Sequence, residues 1–152
     1  MKKTIAAAVA AATATAGIAL ATSAHGAGGT TLHLVDHNAG FAFQDVKPKQ
    51  LPKKGSLGDT LTIAGRLTGD RTGTSGLVCT VIQAGKGGSE LCQGIAKLPD
   101  GTIVFSGRSN QDDSPSPLAV TGGTGAYAGA GGTITTKDGK HDTTLVTITL
   151  EG

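Results

Sequence analysis

The sequence predicts an all-β protein: an eight-stranded antiparallel up-and-down β-barrel that follows an N-terminal signal peptide. Three observations predict this fold. Short apolar runs alternate with polar residues at a period of two. Glycine, proline and aspartate separate these runs, as expected of turns. No stretch after the signal has the pattern of a helix, and eight strands are enough to close a barrel around side chains or one small ligand.

The N-terminus is typical of a secretory signal peptide. Met1, Lys2 and Lys3 precede an apolar run over 5–20, and small residues follow at the usual cleavage positions. We place the cleavage after Ala24, with Gly26 as the alternative. The run is mostly alanine and is a poor membrane anchor. We therefore expect a secreted protein with no membrane span, a flexible lead-in over 25–29 and a single barrel domain over 30–152.

The charge and the aromatic content exclude some partners. The net charge of +2 belongs to the signal, because removing Lys2 and Lys3 leaves equal numbers of basic and acidic residues. A neutral domain is not built to bind nucleic acid or an anionic membrane. With three Phe, one Tyr and no Trp, the chain also lacks the aromatic faces of a base-stacking surface. No cofactor is predicted.

The first predicted strand, 31–38, carries the candidate chemistry. Its alternation puts Leu32, Leu34, Asp36 and Asn38 on one face. Since the leucines face inward, Asp36 and Asn38 are expected to face inward as well, and polar groups on an apolar face need a partner or a purpose. A long connection over 39–54 is expected to follow, with Phe41 and Phe43 at a barrel mouth or on its wall.

Seven further strands complete the predicted barrel. The segment 76–83 is apolar on both faces, which predicts a central strand. The other segments alternate between apolar and polar residues. The predicted strands are 60–67, 76–83, 91–98, 102–107, a strand around 118–120, 133–135 and 141–150.

The two cysteines predict one disulfide. Both lie in the exported part of the chain, where an oxidised pair is the usual state. Gly85 to Gly88 is a turn signal, and a hairpin centred between Gly85 and Lys86 places Cys79 opposite Cys92. Such a bridge would contribute about 3 kcal/mol in the chain-entropy account of disulfide stability.

A glycine-rich stretch around Tyr127 predicts a tight corner between two strands. Glycine tolerates positive φ and lets another part of the chain approach closely. The expected structural glycines are Gly122, Gly123, Gly125 and Gly129. The same stretch also matches the G-x-G-x-x-A dinucleotide pattern, but that pattern works only where a helix N-terminus follows, and the glycines and threonines after it oppose a helix.

Four motifs together resemble the allene oxide cyclase barrel family. They are Ser56-Leu57-Gly58-Asp59, 76–82, 118–125 and 127–130, in the order of that family, and the resemblance covers 56–150. The glycine-rich segment is also similar to that of plant dirigent proteins. The resemblance implies a calycin-like or dirigent-like barrel with a hydrophobic cavity that steers the cyclisation or coupling of small molecules. It also implies a homo-oligomer, since plant members are trimers.

The resemblance also implies site residues. Asp36 and Asn38 look like the family's acidic residue and the Asn two positions later. In that family the acid faces the delocalised system of the substrate, and the Asn helps to hold a water on the epoxide oxygen. Cys79 stands where the cyclase has a cavity-lining Cys, and Gly131 stands where an Arg or a larger residue is common. The residues expected to line the ligand cavity are Leu34, Phe41, Phe105 and Tyr127.

Two functions stay open from the sequence. One is a secreted isomerase or cyclase of the allene oxide cyclase type, which acts on a small apolar molecule with Asp36 as acid, base or charge stabiliser. The other is a non-catalytic ligand-binding or cell-envelope interaction barrel, because one fold hosts many functions. No metal site is predicted, since His33 and His37 share a face but lie about 13 Å apart along a strand.

Overall fold

The computed structural model describes residues 29–46, 55–112 and 114–151 of the 152-residue chain. The predicted signal peptide and most of the predicted lead-in lie outside these residues. The segment 47–54, which holds four lysines, also lies outside them. Among the described residues, no helix has the length and apolar character needed to cross a membrane.

Eight strands form a closed antiparallel barrel, as predicted. Each strand pairs with the next along the chain, and the last pairs with the first. Closure gives each strand a partner on both sides over at least part of its length, so no described strand is an edge strand throughout. The strands are β1 (Thr30–Gln44), β2 (Thr60–Gly69), β3 (Gly73–Gln83), β4 (Ser89–Leu98), β5 (Gly101–Asn110), β6 (Leu118–Gly125), β7 (Gly131–Asp138) and β8 (Thr143–Glu151).

The turns gather at two ends of the barrel because consecutive strands run in opposite directions. The closed end carries the turns 70–72, 99–100 and 126–130. The open end carries the turns 84–88, 111–117 and 139–142. The larger hydrophobic core lies toward the closed end, where Ile103 and Ile148 are fully buried at 0% exposure. Its buried members are Leu32, Leu34, Leu67, Ala96, Leu98, Ile103, Val120, Tyr127, Ile134, Ile148 and Leu150.

Strand β1 is much longer than the sequence predicts, and this corrects the expected connection over 39–54. A bulge between Asn38 and Gly40 shifts the register, after which β1 continues beside β2 to Gln44. The bulge resets the period-two pattern and so hides the continuation of the strand. The partner β8 ends its pairing at His37, so the extension has β2 as its neighbour on one side only. Phe41, on this extension, is accordingly 65% exposed.

Strand β3 is central in that it pairs with β2 on one side and β4 on the other, but its outer face is not covered. Val78 and Ile82, on its outer face, are 43% and 47% exposed. Within the described residues a single sheet curves around one interior, so only the inner face of each strand is packed.

The motif Ser56–Asp59 builds a turn at the open end. Asp59 is buried, and its carboxylate accepts hydrogen bonds from the backbone N–H of Ser56 at 2.6 Å and of Val46 at 3.0 Å. Its backbone carbonyl accepts a hydrogen bond from the N–H of Val81. Asp59 therefore ties the end of β1, the start of β2 and the end of β3 together through its carboxylate and its backbone carbonyl.

The glycine-rich corner lies at the closed end, between β6 and β7. Gly125 adopts a φ of 62°, in the left-handed region that disfavours other residues. Gly123 leaves room for Tyr127, because a Cβ at Gly123 would lie 2.8 Å from the Cβ of Tyr127. Gly122 and Gly129 also have positive φ, at 148° and 75°. The predicted corner is present, and its glycines leave the space in which Tyr127 packs against the barrel core.

Tyr127 closes this end with a polar contact. Its ring is buried, and its hydroxyl donates a hydrogen bond to Asp100 Oδ1 at 2.9 Å. Arg71 lies 3.6 Å from the other oxygen of Asp100. The hydroxyl of Tyr127, and to a lesser degree Arg71, lowers the pKa of Asp100. Burial and the Asp100 carboxylate raise the pKa of Tyr127 above its ordinary value.

We expect Tyr127→Phe to raise the pKa of Asp100 toward its ordinary value of 3.8, because the main stabiliser of the carboxylate is removed. A lowered folded pKa contributes stability that is present above the unfolded pKa and is lost as the pH falls through the folded pKa. The wild type should therefore lose more stability than Tyr127→Phe on acidification below about pH 4. Carbon-detected NMR titration of Asp100 and urea denaturation between about pH 2 and 6 measure both effects.

Arg71→Met serves as the control for that experiment and should raise the pKa of Asp100 less, because the charge of Arg71 has a smaller effect than the Tyr127 hydroxyl. An unchanged titration of Asp100 in Tyr127→Phe would show that the hydrogen bond does not form in solution.

The predicted disulfide is present and lies inside the barrel. Cys79 and Cys92 are paired residues of β3 and β4, with an S–S distance of 2.05 Å and a Cα–Cα distance of 4.0 Å. Both are buried, and with Leu118 they form a second small core toward the open end. The bridge therefore stabilises the half of the barrel that the larger core does not fill.

Reduction of this bridge should lower the free energy of unfolding by about 3 kcal/mol, because the unfolded chain regains the entropy of an open loop. Urea denaturation with and without a phosphine reductant measures the difference. The double variant Cys79→Ser, Cys92→Ser should unfold at the same urea concentration in both buffers. Equal midpoints for the wild type would mean that the bridge adds no stability.

Candidate functional site: the barrel cavity

The barrel encloses a cavity of about 290 Å³ in its open half. This volume falls near the lower end of the range for small-molecule sites. Aliphatic side chains, the ring of Phe105 and the disulfide make up much of the wall, while carboxylates and hydroxyls interrupt it. The lining residues are Leu34, Asp36, Leu61, Ile63, Leu67, Ser75, Gly76, Leu77, Cys79, Glu90, Cys92, Ile95, Ala96, Phe105, Ser109, Ser116, Leu118, Ile134, Thr136, Thr144, Val146 and Ile148.

Asp36 places a carboxylate on this wall. It follows Leu32 and Leu34 on the inner face of β1, as the alternation predicts. Its Oδ2 accepts a hydrogen bond of 2.5 Å from the hydroxyl of Ser75 on β3. Its Oδ1 is buried and has no hydrogen-bond partner. Ser75 thus fixes the orientation of the group, and Oδ1 is packed against Gly65, where an added Cβ would overlap it.

Gly65 makes room for Asp36. It lies on β2, between the strands that carry Asp36 and Ser75, and a Cβ at this position would overlap the carboxylate of Asp36 and crowd the hydroxyl of Ser75. An Asp–Ser hydrogen bond can therefore span three strands only because the middle residue has no side chain. Gly65 is in this sense part of the site.

A second recess of about 350 Å³ lies outside the cavity at the open end. Asp36, Ile63 and Thr144 line both spaces, so the recess adjoins the cavity. Asn38 lines the recess but not the cavity, and its side chain is exposed. The structure therefore brings Asp36 and Asn38 to one opening, but only Asp36 reaches the interior.

Glu90 contributes a second carboxylate to the cavity, from β4. Its Oε1 accepts a hydrogen bond of 2.9 Å from the side-chain amide of Gln111. The sulfurs of Cys79 and Cys92 lie close enough to Glu90 for the three to hold one ion. Because the sulfurs are bonded to each other, neither offers the thiolate that binds a metal. The oxidised chain therefore has no metal site at this cluster.

Two of the four residues expected to line the cavity do so. Leu34 and Phe105 are in the wall, and the ring of Phe105 covers Gly94, where a Cβ would overlap it. Tyr127 instead lies at the closed end, because the glycine corner turns it toward Asp100. Phe41 lies beyond the cavity on the extension of β1 and faces solvent.

Among the polar residues of the cavity that sequence reasoning missed, Ser75 and Glu90 share one cause. The predicted third and fourth strands begin at 76 and 91, whereas β3 begins at Gly73 and β4 at Ser89. Ser75 and Glu90 therefore fell just outside the predicted strands. The signal was present in the alternation, since Ser75 lies four residues before Cys79 and Glu90 lies two residues before Cys92.

No protein-family model and no curated protein matches the sequence. Solved structures do share the fold. A pyocyanin demethylase has a TM-score of 0.70 at 23% identity, over 80% of this chain and 99% of that chain. An exo-specific intermolecular Diels–Alderase has a TM-score of 0.63 at 13% identity, over 82% and 99%. A pterocarpan synthase dirigent protein has a TM-score of 0.61 at 17% identity, over 81% and 83%.

At these identities the likeness shows the fold alone. The neighbours include a dirigent protein and a cyclising enzyme, and these are the kinds of barrel that the sequence motifs resemble. The predicted resemblance is therefore confirmed at the level of the fold.

We expect Gly65→Ala to destabilise the protein by about 1–3 kcal/mol, because the added methyl group forces Asp36 away from Ser75. Gly76→Ala is the matched control on the adjacent strand, since its Cβ would meet only Ile95, at an ordinary 3.7 Å. It should be neutral or slightly stabilising. Urea denaturation of the two variants makes the comparison, and equal effects would contradict the role of Gly65 in holding Asp36.

Proposed function

We propose that this protein is exported and binds a small, largely apolar molecule in the barrel cavity, where it guides the cyclisation or isomerisation of that molecule. The observation that carries the proposal is the carboxylate of Asp36 on a largely apolar cavity wall, held by the neutral hydroxyl of Ser75. A carboxylate among apolar side chains is costly unless it serves a purpose. A ligand that donates a hydrogen bond or a proton to this carboxylate would supply that purpose.

The geometry suits a reaction that needs little covalent help from the protein. The cavity holds its ligand in a restricted conformation and excludes water, which favours a ring closure or a rearrangement over competing reactions. Asp36 can take a proton from one atom of the ligand and return it to another, or it can stabilise positive charge that develops during the reaction. Ser75 keeps the carboxylate in place throughout.

Asn38 has a lesser part in the proposal. Its exposed amide in the outer recess can contact a ligand that extends through the opening. The family resemblance implies that this Asn holds a water near the substrate. We expect Asn38→Ala to weaken turnover less than Asp36→Asn, because it lies outside the enclosed volume.

The neighbours support cyclisation as a class of reaction and leave the substrate open. Their names describe a demethylase, a Diels–Alderase and a pterocarpan synthase, which are three different reactions on one barrel. Function in such a fold depends on the residues of the cavity and not on the barrel itself. Asp36, Glu90 and Ser75 are therefore the residues that should decide the reaction of this chain.

Export is supported by two observations. The N-terminus has the pattern of a signal peptide. The disulfide between Cys79 and Cys92 is of the kind that persists outside the cytoplasm. The substrate would then be met in the cell envelope or in the medium.

The test uses the property that isomerisation, and ring closure within one molecule without a leaving group, conserve molecular formula. The mature protein is incubated with extracts of its own culture medium, and chromatography coupled to mass spectrometry follows pairs of compounds of equal mass. We expect one compound to decline while an isomer grows. Asp36→Asn should slow this conversion by about 10²-fold or more, which is typical for loss of a general acid or base.

Two further variants make the test specific. Thr144→Trp should abolish conversion, because Thr144 lies where the recess meets the cavity and an indole there would plug the opening. Glu151→Gln removes one negative charge at the closed end and should convert at the wild-type rate. Retained turnover in Asp36→Asn would defeat the assigned role of Asp36. A ligand that is bound and returned unchanged would favour the non-catalytic binding barrel.

A further inference from the structure

The charges on the cavity wall have one sign. Asp36 and Glu90 are the charged side chains among the residues that line it. They lie on β1 and β4, three places apart around the eight-stranded barrel. No Lys, Arg or His is among the lining residues that the structure describes.

Both carboxylates are held by neutral groups. The partner of Asp36 is the hydroxyl of Ser75, and the partner of Glu90 is the amide of Gln111. Each bond orients a carboxylate without neutralising it. A half-buried negative charge without a counter-charge is costly, and a positive ligand would offset that cost.

The same sign continues into the outer recess. Asp138 and Asp142 line it together with Asp36, and its described lining holds no basic residue. A path lined by one sign of charge raises the local concentration of ligands of the opposite sign. The recess and the cavity therefore both favour positively charged molecules.

We propose that the ligand of the cavity is an organic cation: a compact apolar body that carries a protonated amine or an N-alkylated aromatic ring. This inference rests on the proposed function and adds the charge of the substrate to it. The apolar walls, such as Leu61 and Leu77, pack against the body of the ligand. The positive charge lies between Asp36 and Glu90. A delocalised cation loses less hydration energy on entry than a compact ion, which suits a wall that is largely hydrocarbon.

The experiment compares two probes that have the same shape and differ in charge. 1-Methylquinolinium is a cation, and 1-methylnaphthalene is its neutral counterpart. Titration calorimetry on the mature, oxidised protein should show that the cation binds at least about tenfold more tightly than the hydrocarbon. The preference should survive 0.5 M NaCl in large part, because enclosed charge pairs are screened less than exposed ones.

The variants assign the preference to named residues. Asp36→Asn and Glu90→Gln should each weaken binding of the cation by about tenfold and leave binding of the hydrocarbon unchanged. The two substitutions are nearly isosteric and lie on different strands. If one variant fails to fold, the other still tests the inference. Glu151→Gln makes the same change in net charge far from the cavity and should alter neither affinity. Circular dichroism confirms the fold of each variant.

Other outcomes separate this inference from the proposed function. Equal binding of the two probes, abolished by Thr144→Trp, would overturn the charge preference and would leave a cavity that binds small molecules. Binding of Ca²⁺ at the recess, with no binding of 1-methylquinolinium, would replace the organic cation with a metal ion and would also overturn the inference. Failure of both probes would overturn it as well, and the isomer assay would then decide the proposed function by itself.

Discussion

Closure of the eight-stranded sheet is the constraint on which the rest of the molecule depends. A closed barrel has one interior, and every second residue of each strand must face it. Toward the closed end these residues are large and aliphatic, and they fill the space around Ile103 and Ile148. Toward the open end, polar side chains such as Asp36, Ser75 and Glu90 stand between the apolar ones, and a cavity remains. The cavity thus results from which residues occupy the inward positions.

Asp36 shows how the barrel accommodates a carboxylate at an inward position. Gly65 leaves the space, and Ser75 supplies the hydrogen bond from one strand further on. The disulfide gives the open half a covalent link where it lacks a large core. Rigidity around a cavity usually comes from packing, but here it comes partly from this bridge. A cavity that keeps its shape without a ligand can impose a conformation on the ligand.

Much of the fold could be predicted because closure and alternation act on local patterns. The pairing of Cys79 with Cys92 followed from the position of one turn, and the inward places of Leu34 and Asp36 followed from parity along β1. The alternation failed where the predicted strands began two or three residues too late, so Ser75 and Glu90 were missed. It also failed at the bulge beyond Asn38, which hid the extension of β1. The direction of the Tyr127 side chain could not be predicted, because side chains alternate between two faces in a strand but not in a turn.

The measurement that tests the central claim most directly is native mass spectrometry of the mature protein, purified without denaturation from its own culture medium. We expect part of the protein to carry one small molecule, and we expect the mass of the protein itself to show that Cys79 and Cys92 are oxidised. The bound mass should be lost when Thr144→Trp plugs the opening. A wild-type chain that is oxidised and empty in every preparation, even with concentrated medium added back, would contradict the claim that the cavity is a ligand site.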